Sequence, residues 1–327
     1  MRYVDADLVH RLLPYQRLIP WFEKKLTGEI PISEVVLTNE PAGGPNKFVT
    51  LVGWQAGELI AVKMVGVFPG NLQLQPPQAT VQGLVCVFCG QTGAPQLVAD
   101  GEAMTFRKTA ADSGLGSRLL ARGDARVLLV VGAGGLGPHV AAAHRAARPS
   151  IDKVLVWNRT FEKAQSLAAW LRDKEGVTAK AMRDLDEAVP QADIISCVTM
   201  STQPLVKGAL LKPGTHLDLV GSYLPKMREC DADAIARGSV FVNSRSGITN
   251  AGDLVQAFEA GRFRWKDIRA DASELCTGIR SGRSFEEEIT IYKNIGGAQF
   301  DLFTAELLMQ ETSGDVSNRS PGKVPDV

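Results

Sequence analysis

The chain has 327 residues, of which 45% are hydrophobic and 22% charged, and this size is enough for two globular domains with ordinary cores. Basic and acidic residues number 36 each, so the net charge favours neither a nucleic acid nor a membrane surface as a partner, and neither is expected. No apolar run reaches the roughly 18 to 20 residues of a membrane span, and the first residues do not resemble a secretion signal, which predicts a cytoplasmic protein.

The five cysteines and four histidines are scattered along the chain, unlike a disulfide framework or a metal site. Cys86 and Cys89 belong to an apolar segment, VQGLVCVFC, that is typical of a strand. Positions three apart in a strand point to opposite faces, so we expect two buried thiols that share no metal or disulfide. His139 and His144 lack the i, i+4 spacing of a zinc helix, and no metal is expected.

Up to about residue 115, short apolar runs alternate with turn signals, which indicates a sheet-rich domain. The runs are KFVTLVGW, ELIAVKMVGV and VQGLVCVF, separated by FPGN and followed by QTGAP. From Asp100 to Gly123, apolar and small residues recur at helical spacing, which predicts a linking helix.

From Arg126 onward, apolar strands alternate with predicted helices, one through His144 and one from Phe161 to Arg172. The strands are RVLLVVGAG, KVLVWNRT, ADIISCVT, THLDLVG and SVFVNS. Continuous apolar strands separated by helices predict an α/β domain with a doubly wound parallel sheet. Beyond Gly282 we predict a turn and then a helix in EEEITIYKNIGGAQFDLFTAELLMQ, with a frayed polar tail from Glu311.

A glycine-rich motif, G-A-G-G-L-G, lies directly between the strand RVLLVV and a predicted helix. It spans residues 132–137, and the residues predicted to bind the cofactor are Gly132, Gly134, Gly135, Leu136 and Gly137. In a Rossmann domain the first glycine allows the tight turn, the second lets the backbone approach a pyrophosphate, and the third lets helix and strand pack closely. The strand before it and the helix after it make this a strong prediction of a dinucleotide site.

The next strand ends about 20 residues further on, where such folds recognise the adenosine ribose. A carboxylate there favours NAD, but this chain has Asn158, Arg159 and Thr160. A guanidinium pairs well with a 2′-phosphate, and the amide and hydroxyl can add hydrogen bonds, so we predict NADPH as the preferred cofactor and NADH as a weaker one. The alternative is that Arg159 is only a solvated residue at a helix start.

Several segments in the same order resemble the ornithine cyclodeaminase/mu-crystallin family. They are KMVGVFPGN, the TGxP turn at 92–95, DG at 100–101, RKTAADSGLGSRLLA, GAGGLG, VWNRT, ADIISCVT, KPGTHLDLVG and YKNIGGAQFD, which span about residues 60 to 310. The resemblance implies a Rossmann NAD(P)-binding domain at 116–299. It also implies a discontinuous α+β substrate and dimerisation domain at 1–115, completed by 300–327, and a homodimer.

The resemblance also implies the roles of individual residues. The family lysine corresponds to Lys63, in an apolar strand, where a buried ammonium needs a partner such as a substrate carboxylate; the alternative is pairing with a structural carboxylate. Asp301 corresponds to a family aspartate near the nicotinamide, where it is expected to orient Lys63 or a water, or else to cap its helix. Further contacts to cofactor or carboxylate are expected from Lys108, Thr109, Thr199, Val220, Gly221 and Ser222, with Arg107 as a substitute for Lys108.

Three positions depart from the family pattern. Other members have an arginine where this chain has Lys108, which keeps the charge but loses the bidentate hydrogen bonding of a guanidinium. Many members have an arginine where this chain has Ser33, so one expected carboxylate contact is missing. Cyclodeaminases have an aspartate where this chain has Tyr223, which disfavours cyclisation of ornithine. A tyrosine there is expected to line the cleft.

Tyr223 thus favours the ketimine reductase branch of the family over the cyclodeaminases, whereas Ser33 leaves a non-catalytic member open. The expected oxidoreductase reduces a small cyclic imino acid, Δ1-pyrroline-2-carboxylate or Δ1-piperideine-2-carboxylate, to L-proline or L-pipecolate. An alanine-type amino-acid dehydrogenase, or an ornithine cyclodeaminase, is the first alternative, and a dehydrogenase would need ammonium for reductive turnover. A non-catalytic NADPH-binding protein like the crystallin is the second, and it would bind cofactor tightly without turnover.

Overall fold

The computed structural model describes residues 1–317, which form fourteen β-strands and ten α-helices. The strands are β1 (Arg2–Val4), β2 (Ile32–Asn39), β3 (Lys47–Gln55), β4 (Leu59–Val67), β5 (Val81–Cys89), β6 (Pro95–Asp100), β7 (Val127–Val131), β8 (Lys153–Trp157), β9 (Thr178–Met182), β10 (Ile194–Cys197), β11 (His216–Leu219), β12 (Ser239–Val242), β13 (Ala270–Asp271) and β14 (Thr290–Lys293). The helices are α1 (Ala6–Leu12), α2 (Tyr15–Lys25), α3 (Gly101–Leu120), α4 (Gly137–Ala147), α5 (Phe161–Glu175), α6 (Leu185–Ala188), α7 (Ala232–Arg237), α8 (Gly252–Glu259), α9 (Ala272–Cys276) and α10 (Ala298–Ser317).

The chain folds into two compact units. Unit 1 contains residues 1–14, 30–105 and the segment from 298 onward, and unit 2 contains residues 15–29 and 106–297. The predicted first domain wrongly includes residues 15–29, because α2 packs on α4 of unit 2. The Tyr15 hydroxyl lies 3.0 Å from His139 Nδ1, and Ser273 Oγ donates to the Leu26 carbonyl at 2.9 Å. The division after Thr105 falls within α3, the predicted linking helix.

Unit 1 is built on a six-stranded sheet in the order β1-β6-β5-β4-β3-β2, in which only the β1–β6 pair is parallel. Helix α10 packs on one face. Gly53 permits this contact, because a Cβ there would lie 2.8 Å from the Ala298 carbonyl oxygen and 2.9 Å from Leu302 Cβ. Side chains alternate between the faces, so Lys63 points towards α10 together with its buried neighbours Ala61 and Val65.

The opposite face of this sheet, which we call the open sheet face, carries exposed apolar side chains. Val36, Thr50, Met64 and Leu84 form one row across it, and Phe48 and Trp54 project from β3 on the same side. A shallow cavity of about 510 Å³ lies among Phe48, Met64 and Leu84. The face is therefore an apolar surface that the rest of unit 1 leaves uncovered.

The two cysteines of β5 lie on opposite faces, as predicted, because Cys86 pairs with Val62 and Cys89 with Leu59. Both are half-buried free thiols, so the prediction of two buried thiols is wrong. Cys86 belongs to the open sheet face and Cys89 ends the strand at a turn. The other three cysteines are also free.

Unit 2 is a doubly wound Rossmann-type domain, which confirms the predicted fold class. Its eight strands are all parallel, in the order β13-β12-β14-β11-β10-β7-β8-β9, and the direction of winding reverses between β7 and β10. Every residue of β10, β11 and β14 is buried. The continuous apolar runs of the sequence are thus explained by helices covering both faces of the sheet.

Strand β14 corrects the prediction of a turn after Gly282. Residues Thr290–Lys293 form a buried strand between β11 and β12. The hydrophobic pattern of the sequence does not indicate this strand because three of its four side chains are polar. Each is satisfied inside the fold: Thr290 Oγ1 bonds His216, Tyr292 bonds Asp112, and Lys293 bonds Ser222.

The predicted frayed tail from Glu311 is wrong for residues 311–317, which end α10. Arg2 Nη1 donates to the Thr312 carbonyl at 2.7 Å and holds this last part of the helix. The remainder of the predicted tail, 318–327, lies outside the described residues. No helix in the described range is both long and apolar enough to cross a bilayer.

Candidate active site

The glycine-rich turn after β7 has a different steric reason for each of its three motif glycines. Gly132 has φ +117°, and a Cβ there would lie 2.8 Å from the Val198 carbonyl oxygen. A Cβ on Gly137 would lie 2.9 Å from the Gly132 carbonyl oxygen, just after β7, and 3.0 Å from Leu167 Cδ2 of α5, which agrees with close packing of α4 at this strand end. Gly134 faces open space, with nothing within 4 Å of a Cβ. The middle glycine is therefore the one that a ligand can approach.

The same turn presents backbone donors. Within residues 1–317, the amides of Gly134, Gly135 and Leu136 donate to no protein acceptor, and Leu136 caps α4 without a side-chain bond. These amides lie at the N-terminus of α4, where the helix dipole favours an anion. The turn thus fits the diphosphate of a dinucleotide.

Asn158, which follows β8, connects that strand end to the turn. Its Oδ1 accepts from the Ala133 amide at 3.0 Å, and its Nδ2 donates to the Thr160 carbonyl at 2.9 Å. The amide side chain is thus engaged within the protein, whereas Arg159 and Thr160 are exposed. Of the three residues predicted for a 2′-phosphate, Arg159 and Thr160 keep side chains that can reach a ligand.

Sequence reasoning missed a second arginine near this strand end. Strands β8 and β9 run in register with Trp157 opposite Met182, so Asn158 and Arg183 each directly follow the carboxyl end of one of these neighbouring strands. Its guanidinium carbon is 3.8 Å from the Phe161 ring centroid. In the described chain neither Arg159 nor Arg183 is in a salt bridge, unlike Arg126 and Lys207, which pair with surface carboxylates.

A buried carboxylate joins the loops that follow β10 and β11. Glu229 Oε1 accepts from the Thr199 amide at 2.6 Å and from Thr199 Oγ1 at 2.8 Å, and Oε2 accepts from the Gly221 amide at 2.6 Å. Burial raises the pKa of Glu229 above its ordinary value, and the Lys293 ammonium opposes that shift. Thr199 and Gly221, predicted separately as cofactor residues, are thereby brought together.

Asp253 and Lys293 surround this carboxylate, and we call the three residues the loop clamp. Asp253 Oδ1 accepts from the Glu229 amide at 2.7 Å, and Lys293 Nζ lies 3.8 Å from Asp253 Oδ2. Ser222 donates to Asp253 and accepts from Lys293 Nζ at 2.8 Å. The Ser222 hydroxyl is therefore engaged inside the protein both as a donor and as an acceptor. The cofactor contact predicted for Ser222 is left to its backbone.

Helix α3 carries Lys108, which is 3% exposed, and Thr109. Gly296, whose φ of +76° favours glycine, lies beside this ammonium, since a Cβ there would be 3.1 Å from Lys108 Nζ. Asn294 Nδ2 donates to the Thr109 carbonyl at 3.1 Å. The two predicted residues thus lie together against the segment that follows β14.

Arg107, predicted as a substitute for Lys108, is engaged with a different partner. Its guanidinium carbon lies 4.6 Å from the centre of the Tyr15 ring. Tyr15 is buried, and burial raises its pKa. This stacking holds Arg107 against α2. Its surroundings therefore do not support the prediction that Arg107 contacts the cofactor or carboxylate in place of Lys108.

A buried acid lies one helical turn beyond Lys108. Asp112 Oδ1 accepts from the Tyr292 hydroxyl and Oδ2 from Asn243 Nδ2, both at 2.8 Å. Burial raises the pKa of Asp112 to about 7, although Lys108 and the two hydrogen bonds lower it. No sequence motif singled out this residue.

In unit 1, Lys63 forms a buried ion pair with Asp301. Nζ lies 2.9 Å from Oδ1, and the side chains are 6% and 4% exposed. Asp301 lies in the first turn of α10 and turns its carboxylate towards β4. The geometry agrees with an aspartate that orients Lys63, and it also agrees with the alternative of a lysine held by a structural carboxylate.

Ser33 and Tyr223, two of the predicted departures from the family pattern, are both accessible. Ser33 lies on β2, whose eight residues are all exposed, and it pairs with Gly53. Tyr223 is 42% exposed, directly after Ser222. Neither residue supplies the charged group that the family resemblance led us to expect at its position.

The comparisons with known proteins agree with this arrangement. The model of the ornithine cyclodeaminase/mu-crystallin family matches residues 49–315. Protein SAR DEFICIENT 4 of Arabidopsis thaliana is 39% identical over 314 residues, which cover 94% of this chain and 96% of the plant protein. A Δ(1)-pyrroline-2-carboxylate reductase of Paracoccus denitrificans is 40% identical over 262 residues, which cover 80% of this chain and 82% of that protein.

A similar solved structure is that of Thermococcus litoralis Δ(1)-pyrroline-2-carboxylate reductase in complex with NADH and L-proline. It superposes with a TM-score of 0.89 at 25% identity and covers 97% of this chain and 98% of that one. The similarity therefore extends over both units and across nearly the whole length of the two proteins.

Proposed function

The chain belongs to the ornithine cyclodeaminase/mu-crystallin family, and we propose that it is an NAD(P)H-dependent reductase of cyclic ketimine α-carboxylates. Its substrates are Δ1-pyrroline-2-carboxylate, Δ1-piperideine-2-carboxylate or both, and its products are L-proline and L-pipecolate. The observation that carries the proposal is a dinucleotide turn with three amides available to a diphosphate, in a chain 40% identical to a reductase of this name.

In this reaction a hydride adds to the imine carbon and a proton to the ring nitrogen, so that C=N becomes CH–NH. The bound cofactor supplies the hydride. The protein's part is to hold and orient: the turn after β7 holds the diphosphate, and Lys63 neutralises the substrate carboxylate. Asp301 supports that role because it fixes the ammonium at 2.9 Å.

The assay that tests the function follows absorbance of the reduced nicotinamide as each cyclic imine is added to the purified protein. We expect ammonium-independent oxidation of the cofactor with at least one ring size. Turnover only with pyruvate plus ammonium would instead identify an amino-acid dehydrogenase. Tight cofactor binding with no turnover of any of these substrates would contradict the proposal and favour a binding protein.

We further propose that NADPH is preferred over NADH. Arg159 and Arg183 support this, because two guanidinium groups that form no salt bridge within residues 1–317 follow β8 and β9 and suit a 2′-phosphate. Arg159→Ala is expected to raise KM for NADPH by about tenfold while leaving KM for NADH nearly unchanged, since only NADPH has the extra phosphate. Equal changes for both cofactors in steady-state kinetics would refute this assignment.

The protein is also proposed to be a cytoplasmic homodimer that uses the open sheet face. The exposed apolar side chains on β2, β3 and β5 support a second copy as the occupant of that face. A two-fold contact would place the same apolar patch against itself, which suits a surface with few charges.

A further inference from the structure

The loop clamp lies at the part of the sheet where a dinucleotide-binding domain holds the second nucleotide. The sheet reverses its winding between β7 and β10, and ligands of such sheets bind at the carboxyl ends of the strands around that point. The turn after β7 belongs to the first, adenosine-binding half. Thr199 and Gly221 follow β10 and β11, which belong to the second half.

The loop after β10 also contacts the glycine-rich turn itself. A Cβ on Gly132 would lie 2.8 Å from the Val198 carbonyl oxygen and 3.1 Å from Thr199 Cγ2. A Cβ on Gly221 would overlap the Thr199 carbonyl oxygen. The two loops and the turn are therefore packed without spare room, and a small shift of Thr199 changes the surface beside the turn.

All three contacts to the Glu229 carboxylate come from donors. Two are backbone amides, and the third is the Thr199 hydroxyl, whose own oxygen accepts from the Ser201 amide at 3.3 Å. Only a carboxylate offers acceptors on both sides. A glutamine of the same size would turn an N–H towards a backbone N–H and lose at least one of these bonds.

We propose that Glu229 is a positioning residue that fixes the Thr199 and Gly221 loops for the nicotinamide half of the cofactor. It acts through these two loops and not by contact with the reacting atoms. Asp253 holds Glu229 in turn by accepting from the Glu229 amide, and the Ser222 hydroxyl donates to Asp253. The inference rests on the proposed use of a nicotinamide cofactor, although it does not depend on which substrate is reduced.

The test compares ligands that fill one half or both halves of the site. Glu229→Gln is expected to weaken binding of NADPH, and of NADH in parallel, by about tenfold in calorimetric titrations, since one hydrogen bond to a charged group is lost. Binding of adenosine 2′,5′-bisphosphate and of ADP, which lack the nicotinamide nucleotide, is expected to stay within twofold of the wild-type protein.

Glu288→Gln is the matched control, because Glu288 is also buried and accepts from a backbone amide, that of Ser284. Glu288 precedes β14 and so lies near the amino ends of the strands, whereas the cofactor turn and loops follow their carboxyl ends. This variant should bind all four ligands like the wild-type protein. The inference is overturned if Glu229→Gln binds NADPH and NADH normally. It is also overturned if the variant weakens binding of the half ligands as much as binding of the dinucleotides, because Glu229 would then stabilise the whole domain and not the nicotinamide half of the site. A wild-type protein that binds neither dinucleotide would refute the proposed cofactor and this inference together.

Discussion

At the scale of single residues, the buried pair of Lys63 and Asp301 is an unusual use of the interior of unit 1. Removing two charges from water costs free energy that their mutual attraction seldom exceeds, and apolar replacements of similar size are often as stable. The pair, 6% and 4% exposed, is thus poorly explained by stability alone. This favours the functional interpretation, in which the ammonium binds a substrate carboxylate.

This interpretation separates stability from turnover. Lys63→Met leaves a buried carboxylate without its 2.9 Å partner and is expected to lower the free energy of unfolding by about 3 kcal/mol. The double variant Lys63→Met/Asp301→Leu is expected to regain most of that stability. Both variants are expected to lose about 100-fold or more in kcat/KM with the cyclic imine.

Denaturant unfolding and steady-state kinetics measure the two effects. The double variant is the informative protein, because poor folding does not explain its loss of activity. A double variant that recovered both stability and turnover would show that Lys63 serves only the fold.

Lys63 and Glu229 are both buried charged residues, but the sequence predicts only the first. Lys63 could be predicted because it interrupts an apolar strand, AVKMVGV, and a buried ammonium needs a partner. Glu229 could not, since it lies in the polar stretch KMRECDAD, where an acid is normally exposed. Its burial depends on Thr199 and Gly221. These two residues are distant from each other in sequence and meet only when β10 and β11 pair.

At the scale of elements, α3 is held to the sheet of unit 2 by a titratable group. Asp112 meets Tyr292 of β14 and Asn243, which follows β12. Burial raises the pKa of Asp112 from its ordinary 3.8 to about 7, Lys108 on the same helix lowers it, and Asp218 of β11 raises it. The folded protein therefore keeps a proton that the unfolded chain releases above about pH 4.

Stability is thus expected to fall as pH rises through this window, by at most ~1.4 kcal/mol per unit of pH for one proton. Asp112→Asn is neutral at every pH and can keep both hydrogen bonds, so it should lack this component. The free energy of unfolding of the variant, measured relative to the wild-type protein, should increase by about 1 kcal/mol or more from pH 4 to pH 8. Parallel pH profiles for the two proteins would exclude a protonated Asp112.

The elements that the sequence predicts well are those with a single strong pattern. The strands β3, β4 and β5 and the alternating strands and helices from Arg126 are where the apolar runs indicate. The missed elements owe their structure to distant partners. Helix α2 depends on α4, and β14 depends on polar contacts from Asp112, His216 and Ser222 that no local pattern contains.

At the scale of the whole molecule, the open sheet face gives unit 1 two very different sides. One face of the sheet lies under α10, while the other exposes Val36 and Trp54 by 56% and 47%. A monomer seldom leaves so many apolar side chains together in water. A cavity of about 510 Å³ on the same face adds concave surface for side chains of a second copy to fill.

Val36→Glu is therefore expected to convert a dimer into a monomer. A two-fold contact would bring the new carboxylates of the two copies near each other, and each would be removed from water without a positive partner. Light scattering coupled to gel filtration measures the change in mass. Ile279→Glu is the matched control, because Ile279 is 73% exposed and belongs to unit 2, outside the strands of this sheet, and its substitution should leave the dimer intact. A wild-type protein that is monomeric at micromolar concentration, or a Val36→Glu variant that remains dimeric, would show that the apolar face serves another partner.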